Sequence, residues 1–225
     1  MKNILFFSLL TILFFACSND DDNLPESINK LGQSYYPLEI GQIKIFQADS
    51  IIYDDFNNSI DTLSFFRKEE LVDTFTNTSG EKVFISRLSF RFADTLPWIV
   101  QKDFIQKRSI QRAVLAVDNL IQVPLTFPIA KNKIWDLNAL NTRAEQNLRY
   151  REVFVPFQRE GVQYDSAVIV LHRDEENLIE RFFTEEVYAP RRGLVYRKDI
   201  ALDTELDGEI RKGFEASLLL IEFSP

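Results

Sequence analysis

The chain is poor in the residues that build catalytic and metal sites. Among 225 residues it has one cysteine, Cys17, one histidine, His172, one methionine, two tryptophans and seven glycines. A single cysteine excludes an internal disulfide, a CxxC redox pair and a cysteine-rich zinc site, and a single histidine excludes a multi-histidine metal centre. Positive charge is also short, with 26 Lys and Arg against 34 Asp and Glu. Such a balance disfavours nucleic acid as a partner, because phosphate binding needs a basic surface, and it disfavours simple adhesion to anionic lipid. No GxSxG nucleophile motif and no nucleotide-binding constellation occurs. The expectation is a protein that is not an enzyme, with no cofactor and no metal.

Long hydrophobic runs are missing as well, with one exception. After Lys2, residues Ile4 to Ala16 are uncharged and nearly all apolar. A helix of that length spans roughly 20 Å, short of a hydrocarbon core of about 30 Å, so the run reads as the core of a secretory signal. Its end, Phe14-Phe15-Ala16-Cys17, resembles the lipobox of bacterial lipoproteins, with Phe14 where that pattern usually has Leu. The resemblance implies cleavage before Cys17, diacylglycerol on its sulfur and acylation of the new amino group. Several acyl chains on one residue give stable anchoring where a single chain would be marginal. The next residues, Ser18, Asn19, Asp20, Asp21 and Asp22, resemble the acidic export signal that sends some lipoproteins of Gram-negative bacteria to the outer face of the outer membrane. Removal of residues 1–16 leaves 209, which carry 25 cations and 34 anions, a net charge of −9. The organisation expected is a signal peptide over 1–16, a lipidated N-terminus and flexible tether over 17–34, and one β domain over 35–225.

From Tyr35 onward the dominant period is two, the signature of strands with one buried face. Phe84, Leu88, Phe90 and Phe92 fall on one face of their segment, and Arg87, Ser89 and Arg91 on the other. The alternation runs on through Leu63, Phe65 and Leu71 with Arg67 and Glu69, and through Phe182 and Tyr188 with Glu180 and Glu186. Turn chemistry punctuates it at Asn57-Asn58, Ser79-Gly80, Asp118-Asn119, Glu160-Gly161, Pro190 to Gly193 and Asp207-Gly208, each able to supply the tight or positive-φ position of a hairpin. About nine to eleven strands are expected. One or two helical turns are expected at Asn141–Asn147, where Thr142 precedes Glu145 by three. Such a chain is all-β: a single, strongly curled antiparallel sheet in the form of a lipocalin-like barrel, a half-barrel or a sandwich, with few or no helices.

The segments Tyr36-Pro37-Leu38-Glu39-Ile40-Gly41 and Tyr188-Ala189-Pro190-Arg191-Arg192-Gly193-Leu194-Val195-Tyr196 resemble the opening and closing steps of a group of bacterial secreted or lipid-anchored β proteins that carries no known activity. The resemblance implies one domain. Gly41 and Gly193 are expected at tight turns that feed strands.

Few residues invite chemistry. His172 follows the apolar run Ala167–Leu171 and reads as a surface residue at a strand end. Asp203 to Gly208 begins like a calcium loop, but its twelfth position is Phe214 where a bidentate Glu is needed, so a hairpin tip explains it. Trp98 and Trp135 sit in apolar runs and read as core or rim. Paired carboxylates for glycoside cleavage cannot be placed from sequence. The triplets at Asp49-Ser50-Ile51, Asp61-Thr62-Leu63, Asp94-Thr95-Leu96 and Asp165-Ser166-Ala167 resemble the O-glycosylation sequon of some surface-exporting bacteria, which implies Ser50, Thr62, Thr95 and Ser166 as acceptors. Together these features predict a lipid-anchored, surface-exposed, non-catalytic binding or accessory lipoprotein of the outer envelope. Its partners would be the outer-membrane lipid, through acylated Cys17, and a protein or glycan. The alternative is a lipocalin-like or lipoprotein-carrier-like module that holds an apolar ligand.

Overall fold

A computed structural model describes residues 32–225. Twelve strands follow a single turn of 3-10 helix at Gln33–Tyr35: β1 (Ile43–Asp54), β2 (Ser59–Thr76), β3 (Lys82–Arg91), β4 (Ile99–Arg108), β5 (Ala113–Val117), β6 (Leu120–Gln122), β7 (Ile134–Asp136), β8 (Asn147–Arg159), β9 (Val162–Glu176), β10 (Glu180–Ala189), β11 (Gly193–Thr204) and β12 (Ile210–Ser224). They form one antiparallel sheet in the order β6-β5-β4-β3-β2-β1-β12-β11-β10-β9-β8-β7. Chain neighbours pair at every step except β6 to β7, and the first and last strands pair with each other along 11 aligned positions, from Ile43 opposite Ser224 to Tyr53 opposite Gly213. The fold is therefore all-β and strongly curled, and the half-barrel among the three expected forms is the one observed.

The open seam lies between β6 and β7. It is crossed by single contacts in place of a ladder: Val123 N–H donates to the Leu137 carbonyl at 2.9 Å, and the Trp135 indole donates to the Val123 carbonyl at 2.8 Å. Trp135 is core, as its apolar setting predicts, with its ring 4.5 Å from that of Tyr150. Around this pair a cluster gathers Tyr35, Tyr36, Leu38, Leu125, Phe127, Leu148, Val168, Val170 and Tyr188. It fills the end of the curl where β1 begins. A second cluster joins Phe46, Val187, Val195, Tyr196 and Leu219 with Phe157, Val162 and Tyr164 from the β8–β9 hairpin.

The hairpins close where turn residues predict. Asp118 and Asn119 both have positive φ, as do Glu160 and Gly161, the conformation of the two-residue turns whose twist matches paired strands. Gly41 and Gly193, at φ 88° and 76°, lead into β1 and β11. Three expectations are corrected. There are twelve strands, because β6 and β7 have only three residues each. Asn141–Asn147 forms a bend and irregular chain that leads into β8 instead of a helix: Asp136 Oδ1 accepts from the N–H groups of Asn138 and Gln146, and Asn141 Oδ1 from that of Arg143, local bonds that compete with a helical ladder. Packing starts by Gly32, inside the stretch read as tether. Arg108 donates to the Gln33 and Tyr36 carbonyls at 2.9 and 2.8 Å, and Arg191 N–H donates to the Ser34 carbonyl at 2.7 Å. Among the described residues no helix is long and apolar enough to cross a membrane.

Candidate functional site

Strand register decides which side chains share the concave face. Opposite residues of an antiparallel pair lie on one side of the sheet. Lys44 faces Glu69 across β1 and β2, Phe46 faces Arg67, and Ala48 faces Phe65. On the far wall Glu186 faces Arg197 across β10 and β11, and Asp199 of β11 faces Ala216 of β12. These residues line one cavity of about 820 Å³, except Phe46, together with Leu88, Phe104, Leu115 and Val117 of β3 to β5. Its volume falls in the range of about 300–1,000 Å³ that small-ligand sites occupy.

At one wall of the cavity Glu186 is the hub of a charged network. Its carboxylate accepts from Arg197 Nη1 at 2.8 Å and from the Tyr188 hydroxyl at 2.7 Å, and His172 Nε2 lies 3.1 Å from it. Arg197 also grips Asp199 with two nitrogens, at 2.5 and 3.2 Å. Burial alone would raise the Glu186 pKa, but His172, Arg197 and Tyr188 outweigh it and hold the carboxyl well below the usual range. Burial pushes the Tyr188 phenol up, and Glu186 adds to that. The Arg197 guanidinium would lose basicity by burial, yet Glu186 and Asp199 raise it instead.

Lys44, whose ammonium lies beside Gly193 at the start of β11, is only 7% exposed. Burial lowers its pKa, with Glu69 opposing. Its ammonium has no hydrogen-bond or ion-pair partner among the described residues. Arg67 gives Nη2 to Glu69 at 2.5 Å, while its Nε is buried without a partner. The cavity can hold a polar or charged group beside Lys44, because a buried donor left unbonded is costly until it is bonded.

The sequence-based site residues are placed as follows. Cys17, Ser18, Asn19, Asp20, Asp21 and Asp22 lie outside the described residues. Thr62 and Thr95 are exposed, Ser50 is half-buried on the cavity wall, and the Ser166 hydroxyl is engaged by Tyr35 at 2.6 Å. Trp98 lies at the rim beneath the Arg91 guanidinium, 4.4 Å from its ring centre. Asp203 to Gly208 is the β11–β12 hairpin tip, where Asp203 pairs with Arg211 and Lys212. The surface reading of His172 is corrected. Its side chain is 6% exposed because β9 runs four residues beyond it and turns it inward against Glu186.

Sequence reasoning passed over the cavity, although a signal was present. Arg67 and Glu69 share the parity of Phe65 and Leu71, and Glu186 shares that of Phe182 and Tyr188. Charges in register with the apolar face are the mark of a polar interior.

Fold and site together define a curled antiparallel sheet with an ionisable interior. No protein-family model and no curated protein matches the chain. Among solved structures it is similar to a crystal structure from Parabacteroides distasonis, provisionally described as that of a lipoprotein, at 9% identity over 84% of this chain and 98% of that one, with a TM-score of 0.42.

Proposed function

We propose that the protein is an acylated lipoprotein of the bacterial outer envelope, displayed at the cell surface, which binds a small polar solute inside its curled sheet without transforming it. The observation that carries the binding role is the cavity of about 820 Å³ lined by the network of Glu186, Arg197, Asp199 and His172 and by Lys44. A wholly apolar ligand would strip water from these groups without replacing its hydrogen bonds, which disfavours the apolar-carrier alternative. The anchor rests on the sequence around Cys17, and surface display on Asp20, Asp21 and Asp22.

Two experiments test the two halves. Palmitate labelling and membrane fractionation should follow Cys17 and be lost in Cys17→Ser; labelling that survives the substitution overturns the anchor. Native mass spectrometry of the protein released from its own envelope should show a bound small molecule at one per chain. The cavity-filling substitution Ala216→Trp should abolish it, and an unchanged adduct would place binding elsewhere.

A further inference from the structure

The interior is asymmetric in its hydrogen-bonding capacity. Each carboxylate near the base has partners: Glu69 has Arg67, and Glu186 and Asp199 share Arg197. The unused capacity is on nitrogen. Lys44 is more than nine-tenths buried and borders the cavity without a hydrogen bond. Arg67 lines the same cavity with a partly exposed guanidinium that gives one nitrogen to Glu69. Register puts Lys44 opposite Glu69 and diagonal to Arg67 on the same face, a separation of about 7–8 Å at the backbone that two long side chains can bridge around one group. The Lys44 ammonium lies against the start of β11, since a methyl group at Gly193 would stand 2.7 Å from it. The wall of β3 to β5 offers Leu88, Phe104, Leu115 and Val117 beside Lys102 and Gln106, whose polar ends are engaged by Asp118 and Ser86, so a ligand meets an unbonded donor at Lys44 and apolar surface between bonded polar groups along β3 to β5.

We infer that the cavity takes an amphipathic organic acid, seating its carboxylate or phosphate against Lys44 and Arg67 while its apolar body lies along β3 to β5. This rests on the solute-binding reading above and narrows it to one chemical class. Charge-assisted bonds to a buried oxyanion are among the strongest single polar contacts, and an anion there would satisfy the Lys44 ammonium, which nothing among the described residues satisfies.

The test uses probes that share one body and differ in the head: decanoate, decyl phosphate and decanol, titrated below their micellar range against the mature chain carrying Cys17→Ser. The first strand begins at Ile43, 26 residues beyond Cys17, so loss of the acyl group leaves the pairing of the sheet intact. At least one acid should bind about tenfold or more tightly than decanol, and the better acid identifies the group. Lys44→Met should remove that preference, with Lys44→Gln as the second variant if the first fails to fold. Equal binding of acid and alcohol that is abolished by Ala216→Trp overturns the anionic inference and leaves the solute-binding reading standing. No binding of any probe overturns the amphipathic-acid inference, while a bound species in native mass spectrometry still supports the broader reading.

Discussion

Arg197 of β11 reaches across the strand pair to Glu186 of β10 and joins it at 2.8 Å, while its other nitrogens hold Asp199 two residues along its own strand. One guanidinium thus serves two carboxylates, and one of those carboxylates also receives Tyr188 and borders His172. Three adjacent strands, β9 to β11, are tied inside the curl by polar contacts where most sheets of this kind place aliphatic packing. A buried ion pair is weak evidence for stability by itself, because desolvation offsets attraction. Its presence in a cavity wall is better explained by what the cavity holds.

Removal of Arg197 should be more damaging than removal of the whole pair. Arg197→Met leaves Glu186 buried and charged, at a cost of about 3 kcal/mol, whereas Glu186→Gln combined with Arg197→Met should recover much of that loss. Urea unfolding of the two single variants and the double variant measures this. Additive losses would show that the two residues act independently.

Adjacent carboxylates on β10 should give opposite pH responses. Glu186 is depressed, so its contribution is complete above the unfolded value of about 4.3 and is lost as pH falls below it. Glu185 is raised, chiefly by burial and against the pull of Arg151, so its contribution is present at low pH and declines as pH rises above about 4.3. The groups facing Glu186 are His172, Tyr188, Arg197 and Tyr36. Denaturation midpoints between about pH 3 and pH 7 should show a shallower acid limb in Glu186→Gln. In Glu185→Gln the curve should lose a decline toward neutrality. Identical curves for the two variants would refute the assignment.

The period-two pattern and the turn pairs made the sheet legible, since each hairpin is a local event written in a few residues. The half-barrel was not, because it depends on β1 finding β12 across nearly the whole chain, and alternation assigns faces without naming neighbours. Strands of three residues such as β6 and β7 are too short for any period to register. His172 was misjudged for a specific reason: the β9–β10 register pairs Leu171 with Glu185 and Arg173 with Thr184, which skips His172 at a bulge. Lys44 gave no signal at all, since only its partners across the sheet reveal that its side of β1 borders a cavity.

Two glycines should tolerate a methyl group to different degrees. Gly193 has φ 76°, and its added Cβ would meet the Lys44 ammonium at 2.7 Å. Gly193→Ala should cost about 1–3 kcal/mol through backbone strain and contact, and Lys44→Met should relieve the contact part by shortening the side chain. A Cβ added at Gly213 would run into the Ala201 carbonyl oxygen, in the backbone of the paired strand. Gly213→Ala should therefore lose more, and no side-chain change should rescue it. Thermal denaturation of these variants decides the point, and rescue of Gly213→Ala by Lys44→Met would contradict it.

The seam offers the last test, because so little holds it. Trp135 gives the Val123 carbonyl its indole N–H, and Asn141 Nδ2 donates to the Ile121 carbonyl at 2.6 Å. Tyr150 supports the same edge by donating to the Thr126 carbonyl at 2.7 Å while accepting from the Thr126 N–H at 3.2 Å. Trp135→Phe keeps a ring against Tyr150 but leaves the Val123 carbonyl without its indole donor, at a cost of about 1–3 kcal/mol. A seam made of single contacts should open locally before the sheet unfolds, so amide exchange at Val123 and Leu125 should quicken in Trp135→Phe while Val170 and Val187 stay protected. Uniform acceleration at all four amides would instead mean that the seam and the rest of the sheet unfold as one unit.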